Sequence, residues 1–112
     1  MQIDRHIIWG SNVLNMNARI LMVGRDQENI DDTIKILEKV GVIATGTSDD
    51  SIAIDLVGSS QFDALLISRD VSLPDRRYVT TQARNVDVDI PIVVVESPEA
   101  VLIRLRHAGV SI

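Results

Sequence analysis

The chain has no cysteine among its 112 residues, which excludes a disulfide framework and any zinc centre built on thiolates. That is compatible with a reducing cytoplasm. Aromatic residues are almost absent: Trp9, Phe62 and Tyr78 are the only three, too few for a platform on which bases stack. Positive charge is in deficit as well, with 11 Lys and Arg against 16 Asp and Glu and a net charge of −5. The basic clusters are limited to Arg76-Arg77 and Arg104-Leu105-Arg106-His107. A protein that holds phosphates concentrates a basic face, so no nucleic-acid partner is expected. No stretch approaches the roughly 20 apolar residues that span a bilayer. No basic region followed by an apolar stretch opens the N-terminus. The chain is therefore expected to be soluble and cytoplasmic, without a membrane partner, and long enough to bury one core unaided.

What the chain does have is three short apolar runs that end abruptly in polar residues. Ile20-Leu21-Met22-Val23 precedes Gly24-Arg25-Asp26, Ala64-Leu65-Leu66-Ile67 precedes Ser68-Arg69-Asp70, and Ile92-Val93-Val94-Val95 precedes Glu96-Ser97. Runs without alternation, separated by helix-period segments, are the pattern of strands buried on both faces of a parallel sheet. In such sheets ligands bind beyond the carboxyl ends of the strands, which makes these polar residues the natural place for a site.

The spacing between the runs predicts helices. Asp26 is a good N-cap, followed by Ile30, Ile34, Leu37 and Val40 at helical spacing and Gly41 just past the end. Residues 42–47 read as a second strand weakened by Gly46. Ser48, Asp49 and Asp50 supply caps and first-turn acids for a helix carrying Ile52, Ala53, Leu56 and Val57, stopped by Gly58. The third strand is expected over residues 62–68. Leu73-Pro74-Asp75 reads as a turn and residues 76–84 as a short helix. Pro91 opens the fourth strand. Ser97 and Pro98 start a last helix with Val101, Leu105 and Ala108 as its buried stripe, ended by Gly109. Val110-Ser111-Ile112 reads as the start of a fifth strand. Alternating strands and helices of this length predict an α/β doubly wound parallel sheet.

These segments resemble the receiver domain of two-component response regulators. Ala18-Arg19-Ile20-Leu21-Met22-Val23 resembles its opening strand, Phe62-Asp63-Ala64-Leu65-Leu66-Ile67 its third, and Ile90-Pro91-Ile92-Val93-Val94-Val95 its fourth. Asp70-Val71-Ser72-Leu73-Pro74 matches the aspartate-x-x-leucine-proline run around the phosphoacceptor, and Ala108-Gly109 resembles the end of the fourth helix. The resemblance covers residues 18–112. It implies a flavodoxin-like sheet of strand order 2-1-3-4-5, truncated here at the fifth strand. Residues 1–17 form an N-terminal extension, with Ile7-Ile8-Trp9 as its apolar part, able to add a strand to the sheet edge.

Receiver chemistry uses a carboxylate nucleophile, further carboxylates holding Mg²⁺, a hydroxyl and a lysine. Mg²⁺ demands oxygen ligands and offsets charge on the phosphoryl group, so neutral residues do not replace these parts. Here the two positions after the first strand, acidic in working receivers, are Gly24 and Arg25, with Asp26 one residue beyond. Glu96 stands where the hydroxyl belongs, and the chain ends before the lysine. Counting from Phe62 places Ser68 at the acceptor position, whereas counting back from Leu73-Pro74 selects Asp70. The two counts differ by a two-residue insertion.

Each of these residues also has a plainer role. Asp26 caps a helix, Asp70 stabilises a turn, Glu96 lies near the positive end of the last helix, and Arg25 faces solvent, where the sharper alternative is a pair with Asp70 that holds the domain in one state. An acidic trio of Asp26, Asp70 and Glu96 is the one combination that offers a metal site. Arg25 with the first helix N-terminus offers a small-anion site. His6 and His107 lack a third ligand at metal spacing and read as surface residues. Ser68 has no histidine placed to activate it, and Val23-Gly24-Arg25 lacks the further glycines of a dinucleotide fingerprint. The chain is accordingly expected not to be an enzyme and to need no cofactor. It is expected to be a degenerate receiver that works by protein contact, as a homodimer or by recruiting a partner. The expected contact surface is Ile7, Ile8, Trp9, Val101, Leu105 and Ile112, beside an uncovered fourth strand. The competing expectation is a receiver phosphorylated on Asp70 by a histidine kinase, with Mg²⁺ as cofactor.

Overall fold

The first two apolar runs form the centre of the sheet because both of their faces are covered, and the third lies at its edge. The computed structural model describes residues 17–112. The first run is β1 (Arg19–Val23), the second β3 (Ala64–Ser68), the third β4 (Ile92–Val95), and β2 is Ile43–Thr47. Among the described residues they make one parallel sheet of order β2-β1-β3-β4, with Ile20 opposite Ala44 and Ala64, and Leu66 opposite Val93. This is the expected doubly wound order. Strand β3 starts at Ala64 rather than residue 62, and Pro91 stays outside β4 while its carbonyl accepts the Leu65 N–H at 2.9 Å.

Helices α1 (Gln27–Lys39), α2 (Asp50–Gly58), α3 (Leu73–Val86) and α4 (Val101–His107) lie on the two faces. On one face Ile20, Met22, Leu66 and Val93 pack against Ile30 and Leu37 of α1 and Val101 and Leu105 of α4. On the other, Leu21, Val23, Leu65 and Ile67 pack against Ala53 and Val57 of α2 and Val79 and Ala83 of α3. The alternation of side chains across a strand sorts the apolar run into these two sets. Val101 and Leu105, expected on a contact surface, are fully buried, and Ile112 is partly buried against the same core. The stripe that makes α4 amphipathic is used up inside the domain.

The caps expected for α1 and α2 are made: Asp26 accepts the Glu28 N–H at 3.2 Å, and Asp49 accepts the Ile52 N–H at 3.1 Å. Gly41, at φ +85°, takes the left-handed conformation that ends α1. The reading of Leu73-Pro74-Asp75 as a turn is corrected. Those residues are the first turn of α3, because Ser72 accepts the Asp75 N–H at 3.3 Å and proline is tolerated where helical N–H groups have no partner anyway. The last helix also begins later than expected. Residues Pro98–Ala100 form a 3-10 turn, Ser97 makes no side-chain cap bond, and Ala108 is an exposed C-cap residue outside the buried stripe.

Val110-Ser111-Ile112 forms no strand, and handedness gives the reason. The connection from β1 to β2 runs one way along the sheet and carries α1 on one face. Those to β3 and β4 run the other way and carry α2 and α3 on the opposite face, as right-handed crossovers require. Helix α4 follows β4 yet packs on the α1 face. A parallel strand placed beyond β4 after α4 would need a left-handed crossover. Ile7, Ile8, Trp9 and His6 lie outside the described residues.

Candidate functional site

The polar residues after β1, β3 and β4 meet at the carboxyl end of the sheet, where the parallel strands leave their helix-bound loops. Gly24 sits at the floor. Its N–H bonds the Thr47 carbonyl at 3.1 Å, and a Cβ there would come within 3.0 Å of Ile30 Cγ1 and 3.2 Å of Ser68 Cβ. A carboxylate side chain at this position therefore has little room. Ser68 ends β3 opposite Val95 and is buried; Asp70 lies two residues on, in the turn that leads to α3, and is exposed.

Both oxygens of the Asp70 carboxylate are occupied by backbone donors. The Arg25 N–H donates to Oδ1 at 3.1 Å and the Asp26 N–H to Oδ2 at 2.8 Å. Burial opposes the charge on Asp70, but the N–H groups of Asp26 and Arg25, the Ser68 hydroxyl and the nearby Arg25 charge outweigh it. The carboxyl is held below its ordinary range. Asp70 thus closes the positive end of α1, with Asp26 capping the Glu28 N–H.

Arg25 meets Asp70 through its backbone only, which corrects the expected side-chain pair. Its guanidinium turns instead to Asp50 (3.0 Å from Nη1 to Oδ1 and 3.0 Å from Nη2 to Oδ2), to Asp75 Oδ2 at 3.1 Å and to the Ser48 carbonyl at 2.9 Å. The bond to Asp50 and the two carboxylate charges raise its pKa despite partial burial. With its charge matched by two carboxylates, Arg25 does not offer a small-anion site. Glu96 pairs with Arg104 on α4, at 3.1 Å from Nε and 2.7 Å from Nη2. That pair lowers the Glu96 pKa to about 2 and raises that of Arg104.

The trio weighed as the one metal-site combination is not assembled: Asp26 faces its own helix, Asp70 faces backbone N–H groups, and Glu96 faces Arg104. Among the described residues no group of three His, Asp or Glu side chains is placed to hold a metal ion. This donor set does not fit Mg²⁺, which needs several oxygens converging on one point, because the three carboxylates are each turned to a different partner. Sequence reasoning missed Asp50, Asp75 and Arg104 as partners. The only signal for the first two was acids opening the helices after the second and third strands. A cavity of about 80 Å³ lies beside Ser68, Glu96 and Thr33. A larger one of about 390 Å³ lies at the opposite end of the sheet, near Ala18, Asp63 and Pro91. No helix of the described residues is long and apolar enough to cross a membrane.

The fold is that of receiver domains. The chain is similar in structure to the receiver domain of the hybrid histidine kinase CckA, with a TM-score of 0.66 and 14% identity over 81% of this chain and 98% of that one. A response regulator receiver protein from Sinorhizobium medicae WSM419 matches with a TM-score of 0.60 and 24% identity, over 78% of this chain and 74% of that one. A two-component response regulator from Clostridium difficile matches with a TM-score of 0.61 and 21% identity, over 85% and 79% of the two chains. No family model matches the sequence, and no curated protein matches it either.

Proposed function

We propose that the protein is a receiver-type signalling module that acts by contact with other proteins and not by phosphoryl transfer. One observation carries this reading: the Asp70 carboxylate is bound on both oxygens by the Arg25 and Asp26 N–H groups. An acyl phosphate forms when a carboxylate oxygen attacks phosphorus while a cation offsets the charge on the phosphoryl oxygens. Here each attacking oxygen already accepts a backbone N–H, which draws down its charge and holds the carboxylate against the start of α1. The Arg25 guanidinium, whose charge acts on Asp70, is already paired with Asp50 and Asp75. Asp70 and Arg25 together serve as a fixed brace. On this reading the module needs no cofactor, catalyses no reaction and works in the cytoplasm, and its partner is another protein or a second copy of itself.

The test is an amide NMR spectrum recorded with Mg²⁺ and beryllofluoride, which together mimic the phosphorylated carboxylate. Resonances of Arg25, Asp26 and Asp70 are expected to stay in place. Saturable shifts centred on Asp26, Asp70 and Glu96 would overturn the reading in favour of a receiver phosphorylated on Asp70 by a histidine kinase. Sedimentation of the whole chain separates self-association from recruitment of a different protein.

A further inference from the structure

Helices cover both faces of β1 and β3, whereas on the α3 side of β4 only Ile92 packs against the core. Val93 and Val95 are buried beneath α1 and α4, whereas Val94, on the α3 side, keeps 39% of its surface exposed. Strand β4 is also an edge strand among the described residues. Strands of parallel sheets are ordinarily covered on both faces. The gap follows from the placement of α4 on the α1 side, which leaves the strip beside α3 without a helix. In that strip runs a groove of about 290 Å³, with Leu73 and Val94 as its apolar part, Thr80 and Thr81 along the helix, and Arg76 and Arg77 at its rim.

The charge of this strip differs from that of the molecule. The protein carries −5 overall, yet α3 carries Arg76, Arg77 and Arg84 against a single acid, Asp75, which is tied to Arg25. Among the described residues none of those three arginines has an ion-pair partner. Two are held in place by backbone oxygens: Arg76 Nε donates to the Val71 carbonyl at 3.0 Å, and Arg84 Nη1 donates to the Ile90 carbonyl at 2.9 Å. A second copy docking through the same strip in a two-fold dimer would set arginines against arginines.

We propose that the groove between α3 and β4 receives an amphipathic helix of a partner protein, whose apolar stripe packs on Leu73 and Val94 and whose flanking Asp and Glu residues pair with Arg76 and Arg77. The inference rests on the protein-contact reading above and adds to it the surface and the partner's chemistry. It belongs to the mode in which a helix lays its apolar face into a groove, with rim charges selecting the partner.

The probe is a short synthetic helix-forming peptide with leucine along one face and glutamate on its flanks, titrated into the full chain and followed by amide NMR. A second peptide carries lysine in place of glutamate. Saturable shifts are expected at Leu73, Arg77, Thr80 and Val94 with the glutamate peptide and none with the lysine peptide. Arg77→Glu, an exposed change on α3, is expected to weaken binding about tenfold, with circular dichroism confirming that the variant is folded. The proposal is overturned if the glutamate peptide gives no saturable shift at these residues, or if both peptides bind equally. It is also overturned if the same resonances move with protein concentration alone, which would assign the strip to a second copy. Each of these outcomes leaves the beryllofluoride result unchanged, so failure of the groove is distinguishable from failure of the function.

Discussion

The Arg25 guanidinium grips Asp50 by two parallel bonds of 3.0 Å, joining the loop after β1 to the first turn of α2. Its Nη2 also reaches Asp75 in the first turn of α3 at 3.1 Å. One side chain from the first loop therefore braces the two helices on the far face of the sheet. Bidentate geometry makes this stronger than an ordinary surface pair. The side chains nonetheless retain 32% and 21% exposure, so water screens much of the attraction.

Arg25→Ala is expected to lower stability by about 1 kcal/mol, the upper end for exposed pairs, because it also leaves Asp50 and Asp75 facing each other. A double-mutant cycle with Asp50→Ala in urea should give a coupling of about 0.5–1 kcal/mol. The coupling should shrink as salt shortens the screening length. A coupling that holds its size in high salt would contradict the electrostatic account.

Asp70→Asn replaces one acceptor oxygen by an NH₂ group that faces a backbone N–H, so one of the two bonds to Arg25 and Asp26 is lost. The expected cost is about 1–2 kcal/mol at neutral pH. The folded-state pKa of Asp70 lies below its ordinary value of 3.8, so its charged form stabilises the fold above that value. The contribution disappears as pH falls through the lower folded-state value. Urea unfolding of parent and variant should show a constant gap at higher pH that narrows below 3.8. A gap unchanged in strong acid would mean that Asp70 is not a charged clamp.

The Glu96 carboxyl should titrate near 2, well below its ordinary 4.5, because Arg104 holds the charged form. Any stability it contributes is complete above 4.5 and vanishes as pH falls toward 2. In Arg104→Gln the carboxyl carbon resonance should titrate at a value moved back toward 4.5. The same midpoint in parent and variant would show that the pair is absent in solution.

The central strands and α1 were legible because their causes are local: unbroken apolar runs for burial on two faces, Asp26 for a start and Gly41 for a stop. Leu73-Pro74 misled because proline suits both a turn and the first turn of a helix, and only the Ser72 cap decides between them. The face taken by α4 was not legible. An amphipathic stripe of Val101 and Leu105 fits either side of a sheet, and the choice depends on what already covers each side. The polar residues after the strands meet at one end of the sheet, but their pairings were not legible, since the partners of Arg25 lie 25 and 50 residues further along the chain. Carboxylates that look alike in sequence are separated in space by what each one binds.

Gly46 weakened the sequence reading of β2, yet the fold depends on it. A Cβ at this position would fall 2.5 Å from Ile30 Cγ2 and 2.9 Å from Ile34 Cδ1, because α1 rests directly on the strand. In an unstrained site, Gly→Ala gains about 0.4–1 kcal/mol by restricting the unfolded chain. Here overpacking, typically about 1–3 kcal/mol, works against that gain. Ile34 is only partly buried and has room to swing aside, but Ile30 is 1% exposed and has nowhere to go. Gly46→Ala is therefore expected to be net destabilising in urea unfolding. Ile30→Ala alone costs about 2–5 kcal/mol through the cavity it leaves. Combined with Gly46→Ala it should cost less than the sum of the two, since the new methyl group enters that cavity. If Gly46→Ala matches or exceeds the stability of the parent, α1 does not lie as close to β2 as described, and the packing that also confines Gly24 would be in error with it.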